Sequence, residues 1–299
     1  MRLALLKQVM AGLALIAALV VTNPSLAQGD VSMSVPSKSD RVSVNGVEIY
    51  YEIHGEGSPL VMLHGGVNPA DFFGAPLAAM AEDHQVIAIH MRGHGFSSDA
   101  ATPWSTEQMA DDVDAVLDEL GFEQVDVMGW SLGGGVALQT AIRHPDRVGK
   151  LIVIGMNVKT SGNYPEVLVA FKEMPAMAPA IGAQLAGSPL AELYPDADWE
   201  AIMRRTGEMN QAPFDWTADV QNIKAPTLLI FADADMMYPE HIAEIYHLFG
   251  GGTRDARYDG ALRPTANQLA IIPGTTHYDV IHAGLKPVTD YSKAFLAQE

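Results

Sequence analysis

The chain of 299 residues contains no cysteine. That one absence excludes disulfides, thiolate metal sites, a lipid-anchored lipoprotein N-terminus and a cysteine nucleophile. Stability must come from a buried core, and 48% apolar with 18% charged residues is enough to build one. Positive charge is scarce as well. Lys and Arg number 18 against 36 Asp and Glu, a formal net charge of −18, so nucleic acid or an anionic membrane surface is not expected as a partner. No His-Glu-x-x-His zinc motif, nucleotide-binding fingerprint or internal repeat is present. The length allows one large domain or two small ones.

Long hydrophobic runs are also missing. The N-terminal stretch from Val9 to Val21 is uncharged but falls short of the about 20 residues that span a bilayer. Arg2 and Lys7 precede it, Asn23-Pro24 breaks it, and Ser25-Leu26-Ala27 offers small residues at a cleavage site. This pattern predicts a secretory signal over residues 1–27, cut after Ala27, and export to a periplasm or the medium without lasting membrane insertion. Residues 28–40 read as a flexible lead-in.

From Arg41 the chain alternates apolar and polar residues about Asn45-Gly46, which predicts a hairpin with a primed turn. Short apolar runs then alternate with helical patterns. Strands are predicted at Leu60–Leu63, Val86–Ile89, Val125–Met128, Leu151–Ile154, Thr227–Phe231 and Gln268–Ile272. Helices are predicted over Thr106–Leu120 (capped by Thr106, stopped by Gly121), Leu132–His144, Glu240–Leu248 and Val288–Leu296. Such alternation implies a mostly parallel sheet with helices on both faces. Between residues 157 and 221 the pattern lapses into helical pieces broken by Pro165, Pro175, Pro179, Pro189 and Pro195, which predicts a helical cap insertion. The core is then 41–156 with 222–299. A Gly-rich loop from Gly250 to about Pro264 precedes the last strand.

The chemistry centres on Gly129-Trp130-Ser131-Leu132-Gly133, which follows a strand and opens a helix. A serine hydroxyl is a weak nucleophile unless it is exposed, oriented and adjacent to a base. A sharp strand-to-helix turn exposes it, and small neighbours two residues to either side allow that turn. His277, in the loop after the last strand, is the base candidate, with His282 as its neighbour in competition. Asp235 is the carboxylate candidate, ahead of Asp233. Two N–H donors are needed for a tetrahedral oxyanion. The backbone of Leu132 supplies one, and that of Gly66, or alternatively Val67, the other.

These elements together resemble the α/β-hydrolase superfamily, in its serine-nucleophile, esterase-like branch, over nearly all of residues 41–299. The motifs are Leu63-His64-Gly65-Gly66, Arg92-Gly93-His94-Gly95-Phe96-Ser97, Gly129 to Gly133, Ala232-Asp233-Ala234-Asp235 with Pro239, and Pro273 to His277. The resemblance implies an α/β fold, a mostly parallel α/β-hydrolase sheet with helices on both faces and a helical cap insertion. It also implies catalysis by Ser131, Asp235 and His277 without metal or organic cofactor, and makes Arg92 and His94 structural. The expected reaction is hydrolysis of a carboxylic ester, or a related acyl bond, of a small, largely apolar molecule. C–C bond hydrolysis, peptide cleavage and acyl transfer are alternatives on the same fold, as is a ligand-binding protein that has lost catalysis. Serine at the nucleophile position argues against the dehalogenase and epoxide-hydrolase branches. Trp130, Met236 and Met237 are the nearest pocket candidates. Of the apolar insertion residues Met156, Leu168, Phe171, Met174, Met177, Leu185, Leu193, Trp199, Met203 and Met209, most are expected to pack the insertion and a few to line the pocket. Oligomeric state is left open.

Overall fold

The computed structural model describes residues 35–67, 70–252 and 266–298. The segment predicted to be a secretory signal and most of the Gly250–Pro264 loop fall outside the described residues. Eight strands form one sheet: β1 (Lys38–Val44), β2 (Val47–His54), β3 (Ser58–Leu63), β4 (His84–Ile89), β5 (Val125–Trp130), β6 (Val148–Ile154), β7 (Thr227–Ala234) and β8 (Gln268–Thr276). Their order is β1-β2-β4-β3-β5-β6-β7-β8. β2 runs antiparallel to β1 and β4, and every other pairing is parallel.

The hairpin closes with Val44 opposite Val47. Asn45 and Gly46 both take positive φ, 48° and 79°, as a type I′ turn requires. Pairing extends back to Lys38 opposite Ile53, so residues 38–40, expected in the lead-in, belong to the sheet edge. In β3 the four consecutive residues Leu60–Leu63 are all buried, the mark of a parallel strand covered on both faces.

The helices are α1 (Ala75–Met80), α2 (Thr106–Leu120), α3 (Leu132–Arg143), α4 (Pro165–Ala186), α5 (Pro189–Leu193), α6 (Trp199–Asn210), α7 (Thr217–Val220), α8 (Pro239–Leu248) and α9 (Leu285–Leu296). The β3–β4 crossover steps one way along the sheet, whereas the crossovers after β4, β5 and β7 step the other. Right-handed connections therefore place α1 on the face opposite α2, α3 and α8, and α9 packs beside α1. α2 is capped by Ser105, whose hydroxyl accepts the Gln108 N–H at 3.1 Å, one residue before the expected Thr106. Gly121 ends it with φ 78°. Among the described residues no helix is long and apolar enough to cross a membrane.

The segment between β6 and β7 departs from the expected broken helices. Pro175 and Pro179 lie inside one 22-residue helix, α4, instead of ending it. A proline ring normally collides with the preceding turn and forfeits a hydrogen bond. Packing against α6 offsets that loss here. A Cβ on Gly207 of α6 would stand 2.6 Å from the Pro175 ring, and one on Gly182 of α4 would stand 2.7 Å from the Glu200 backbone. Reciprocal glycines thus let the two helices close on each other. Pro165 and Pro189 occupy helix starts, where the missing N–H costs nothing.

A candidate active site under the inserted helices

Ser131 sits between β5 and α3 with φ 54° and ψ −117°, a conformation rarely taken by a residue with a side chain. Close packing makes this turn attainable. A Cβ on Gly129 would lie 2.1 Å from the Gly133 carbonyl oxygen, and one on Gly133 would lie 2.0 Å from that of Leu63. Both positions require glycine because backbone, not a movable side chain, fills the space. The Ser131 N–H donates to Ile154 O at 2.9 Å, fixing the turn to the end of β6.

His277, at the end of β8, reaches across the sheet. Its Nε2 accepts from the Ser131 hydroxyl at 2.9 Å, and its Nδ1–H donates to Asp235 Oδ1 at 2.8 Å. The side chain of Asp235 is fully buried. Its Oδ1 also accepts the Met236 N–H at 2.8 Å, and Oδ2 that of Ala232 at 3.1 Å. Burial alone would push this carboxyl up. The facing imidazole and the two backbone donors outweigh it and hold the group below its ordinary value, ionised at neutral pH. Asp233 stands elsewhere, its two oxygens taking the N–H groups of Gly274 and Thr275 at 2.9 and 3.1 Å. It fastens the loop that carries His277. His282 lies on the following turn, edge-on to Phe72.

The Leu132 N–H occupies the first position of α3, where a helix leaves its donors free for other partners. Of the two alternatives from the β3 loop, Val67 is occupied, its N–H pointing at His94 Nε2 at 3.4 Å. That leaves Gly66, which faces Leu132 and lines the same cavity as Ser131. Two buried histidines shape this loop. His64 donates from Nδ1 to Gly65 O at 2.8 Å and accepts the Met91 N–H on Nε2 at 3.0 Å. His94 donates from Nδ1 to Arg92 O at 3.0 Å. Each ring therefore uses one N–H and one bare nitrogen, the neutral tautomer. Burial is the main reason both resist protonation, His94 being pushed down to about 4 and His64 well below its ordinary value. Arg92 is itself buried in a two-pronged pair with Asp112 at 2.6 and 2.7 Å.

Above Ser131 lies a cavity of about 280 Å³. Trp130, Met236 and Met237 line it. The Trp130 indole N–H is committed to His277 O at 3.2 Å, so this residue also steadies the loop that carries His277. From the insertion, Met156, Leu168, Phe171, Met174, Met203 and Met209 reach the cavity. Most of the ten apolar insertion residues therefore line it, contrary to the expectation that most serve packing. Leu185 and Trp199 are buried in the core, Met177 packs against it, and Leu193 is exposed. Sequence reasoning missed the polar lining, Asn157, Asn163, Thr206 and Asn210, together with Trp104 and Trp216. The spacing of Met203, Thr206 and Asn210 along one helix face was the available signal.

A family model described as the alpha/beta hydrolase fold matches residues 58–177. A putative carbamate hydrolase, RutD, of Azorhizobium caulinodans is 29% identical over 70% of this chain and 84% of its own length. The 2-hydroxymuconate semialdehyde hydrolase of Pseudomonas sp. is 35% identical over 41% of this chain, and the match spans 46% of that relative. Among solved structures, an α/β hydrolase from a Medee basin deep-sea metagenome library, MGS-M2, superposes with a TM-score of 0.69 at 20% identity, covering 87% of this chain and 98% of the other. Strand order, the strained serine between β5 and α3, and these likenesses converge: the chain has the α/β-hydrolase fold, and its residues 58–177 match the family of that name.

Proposed function

We propose that this hydrolase cleaves a carboxylic ester, or a closely related acyl bond, of a small neutral and largely apolar molecule through an acyl-enzyme. The observation that carries this reading is the chain of contacts from Ser131 Oγ through His277 to Asp235, 2.9 and 2.8 Å long, beneath an apolar cavity. His277 Nε2 takes the hydroxyl proton as Ser131 Oγ bonds to the carbonyl carbon. Asp235 stabilises the resulting imidazolium. The N–H groups of Leu132 and Gly66 receive the negative charge that moves onto the carbonyl oxygen. The tetrahedral species collapses, the C–O bond to the alcohol breaks, and His277 returns its proton to the departing oxygen. Water then attacks the acyl-enzyme with His277 again as base, releasing the acid and regenerating Ser131.

The lining of the cavity favours a neutral substrate. Among the described residues its ionisable side chains are Glu107, His277 and Tyr278, and no lysine or arginine faces it. A carboxylate-bearing substrate would find no cation there, which weighs against C–C cleavage of a muconate-type acid. The test is steady-state turnover of p-nitrophenyl acetate, butyrate and octanoate beside 2-hydroxymuconate semialdehyde. Ester turnover with trapping of the acyl-enzyme by hydroxylamine supports the proposal. Turnover of 2-hydroxymuconate semialdehyde alone overturns it in favour of C–C hydrolysis. We further propose, from the N-terminal pattern, export with removal of residues 1–27; mass measurement of the mature N-terminus in its native host tests this.

A further inference from the structure

Three asparagines line the cavity and share one feature. The amide nitrogen of each is tied to a backbone carbonyl: Asn157 Nδ2 to Lys159 O at 2.8 Å, Asn163 Nδ2 to Thr160 O at 3.4 Å, and Asn210 Nδ2 to Thr206 O at 2.9 Å. A carbonyl can only accept, so these contacts fix the nitrogen toward the backbone and turn the oxygen away from it. Among the described residues none of the three oxygens accepts a hydrogen bond from the protein, and none is a sealed atom: all three residues line the open cavity. Open to the cavity and facing no protein donor, each oxygen is available to a donor on whatever occupies it.

Their segments adjoin those that carry the reacting centre. Asn157 follows Gly155, where a Cβ would stand 3.1 Å from His277 Nδ1. Asn163 bridges Met237, two residues beyond Asp235. Asn210 lies on α6, one turn beyond Thr206, whose methyl group stands 3.4 Å from the position of a Gly66 Cβ. The rest of the lining is mainly apolar. The geometry points to a substrate of matching chemistry: a neutral ester or lactone with an apolar body that carries a hydrogen-bond donor, an amide N–H or a hydroxyl, placed to reach these carboxamide oxygens. This inference rests on the acyl-hydrolase reading and narrows its substrate class.

Binding tests it independently of turnover. In the Ser131→Ala protein, calorimetry compares N-hexylacetamide with hexyl acetate, which differ by N–H in place of O and are not hydrolysed there. The amide is expected to bind at least tenfold more tightly despite its greater cost of desolvation. Asn157→Leu, Asn163→Leu and Asn210→Leu in that background each remove one acceptor, and at least one should bring the ratio below about threefold. Equal affinities, or tighter binding of the ester, overturn the inference without requiring any variant to fold. A preference that persists in all three variants also overturns it. In the wild-type enzyme, p-nitrophenyl 6-hydroxyhexanoate and N-acetyl-4-aminobutyrate are compared with p-nitrophenyl hexanoate to tell a hydroxyl from an amide arm. Failure of all three esters to turn over contradicts the acyl-hydrolase reading, whereas turnover without preference contradicts only the donor requirement.

Discussion

The backbone N–H of Val67 points at Nε2 of His94, 3.4 Å away, across the base of the loop that carries Gly66. Val67 holds a positive φ of 73° there, unfavourable for a β-branched residue, and the contact helps fix it. An imidazolium has no lone pair to offer, so the loop depends on His94 remaining neutral.

This dependence gives a pH prediction with a definite sign. Burial is the chief cause that pushes His90 and His94 down to about 4, and it pushes His64 well below its ordinary value. In the unfolded chain each titrates near 6.5. Between about pH 6.5 and 4 the unfolded state therefore binds more protons than the folded state. The stabilisation is fully present above pH 6.5 and is lost as pH falls through that window. Differential scanning calorimetry should show Tm dropping steeply from pH 6.5 to 4.5. A Tm constant across that range contradicts the neutral cluster.

Asp235 and Asp233 separate by function. Asp235→Asn should lower kcat by about 10³- to 10⁴-fold with Tm little changed, because it disturbs the tautomer and charge of His277. Asp233→Asn should instead cost about 1 to 2 kcal/mol of stability, by weakening two backbone contacts of the 274–275 loop. Its effect on kcat should be under tenfold. Paired measurements of kcat and urea unfolding check this, and the reverse pattern would reassign the carboxylate.

Gly133→Ala should be poorly tolerated, since its Cβ would press on the Leu63 carbonyl at 2.0 Å with no side chain to move. Overpacking of this kind costs roughly 1 to 3 kcal/mol, and the displaced β5–α3 turn should abolish turnover. Recovery of full activity in the alanine variant would show that the turn can relax.

The buried pair of Arg92 and Asp112 predicts a large effect far from the reacting atoms. Asp112→Ala leaves a guanidinium uncompensated and should cost about 3 to 5 kcal/mol. A loss under 1 kcal/mol in denaturant unfolding would mean that water reaches Arg92.

The sheet and the Ser131, His277 and Asp235 contacts were legible in the sequence for identifiable reasons. Parallel strands buried on both faces read as apolar runs, as Leu60–Leu63 does, and the strained turn at Ser131 demands Gly129 and Gly133. The ends of β7 and β8 then supply Asp235 and His277 in that order. The insertion was less legible because its helices are set by contact with each other. Nothing local reveals that Gly207 will receive the Pro175 ring and keep α4 continuous. The asparagines were missed because a polar residue acquires meaning only when its backbone tether and the apolar walls around it are known. Asn157 Nδ2 bound to Lys159 O is such a case.

The most direct test of the central claim is covalent labelling of the purified protein with a fluorophosphonate, read by intact mass and by peptide mapping. The account predicts a single adduct on Ser131, absent in Ser131→Ala and strongly slowed in His277→Ala. A folded wild-type protein that takes no label while a small phosphonate enters the cavity, or one labelled at another residue, would contradict it.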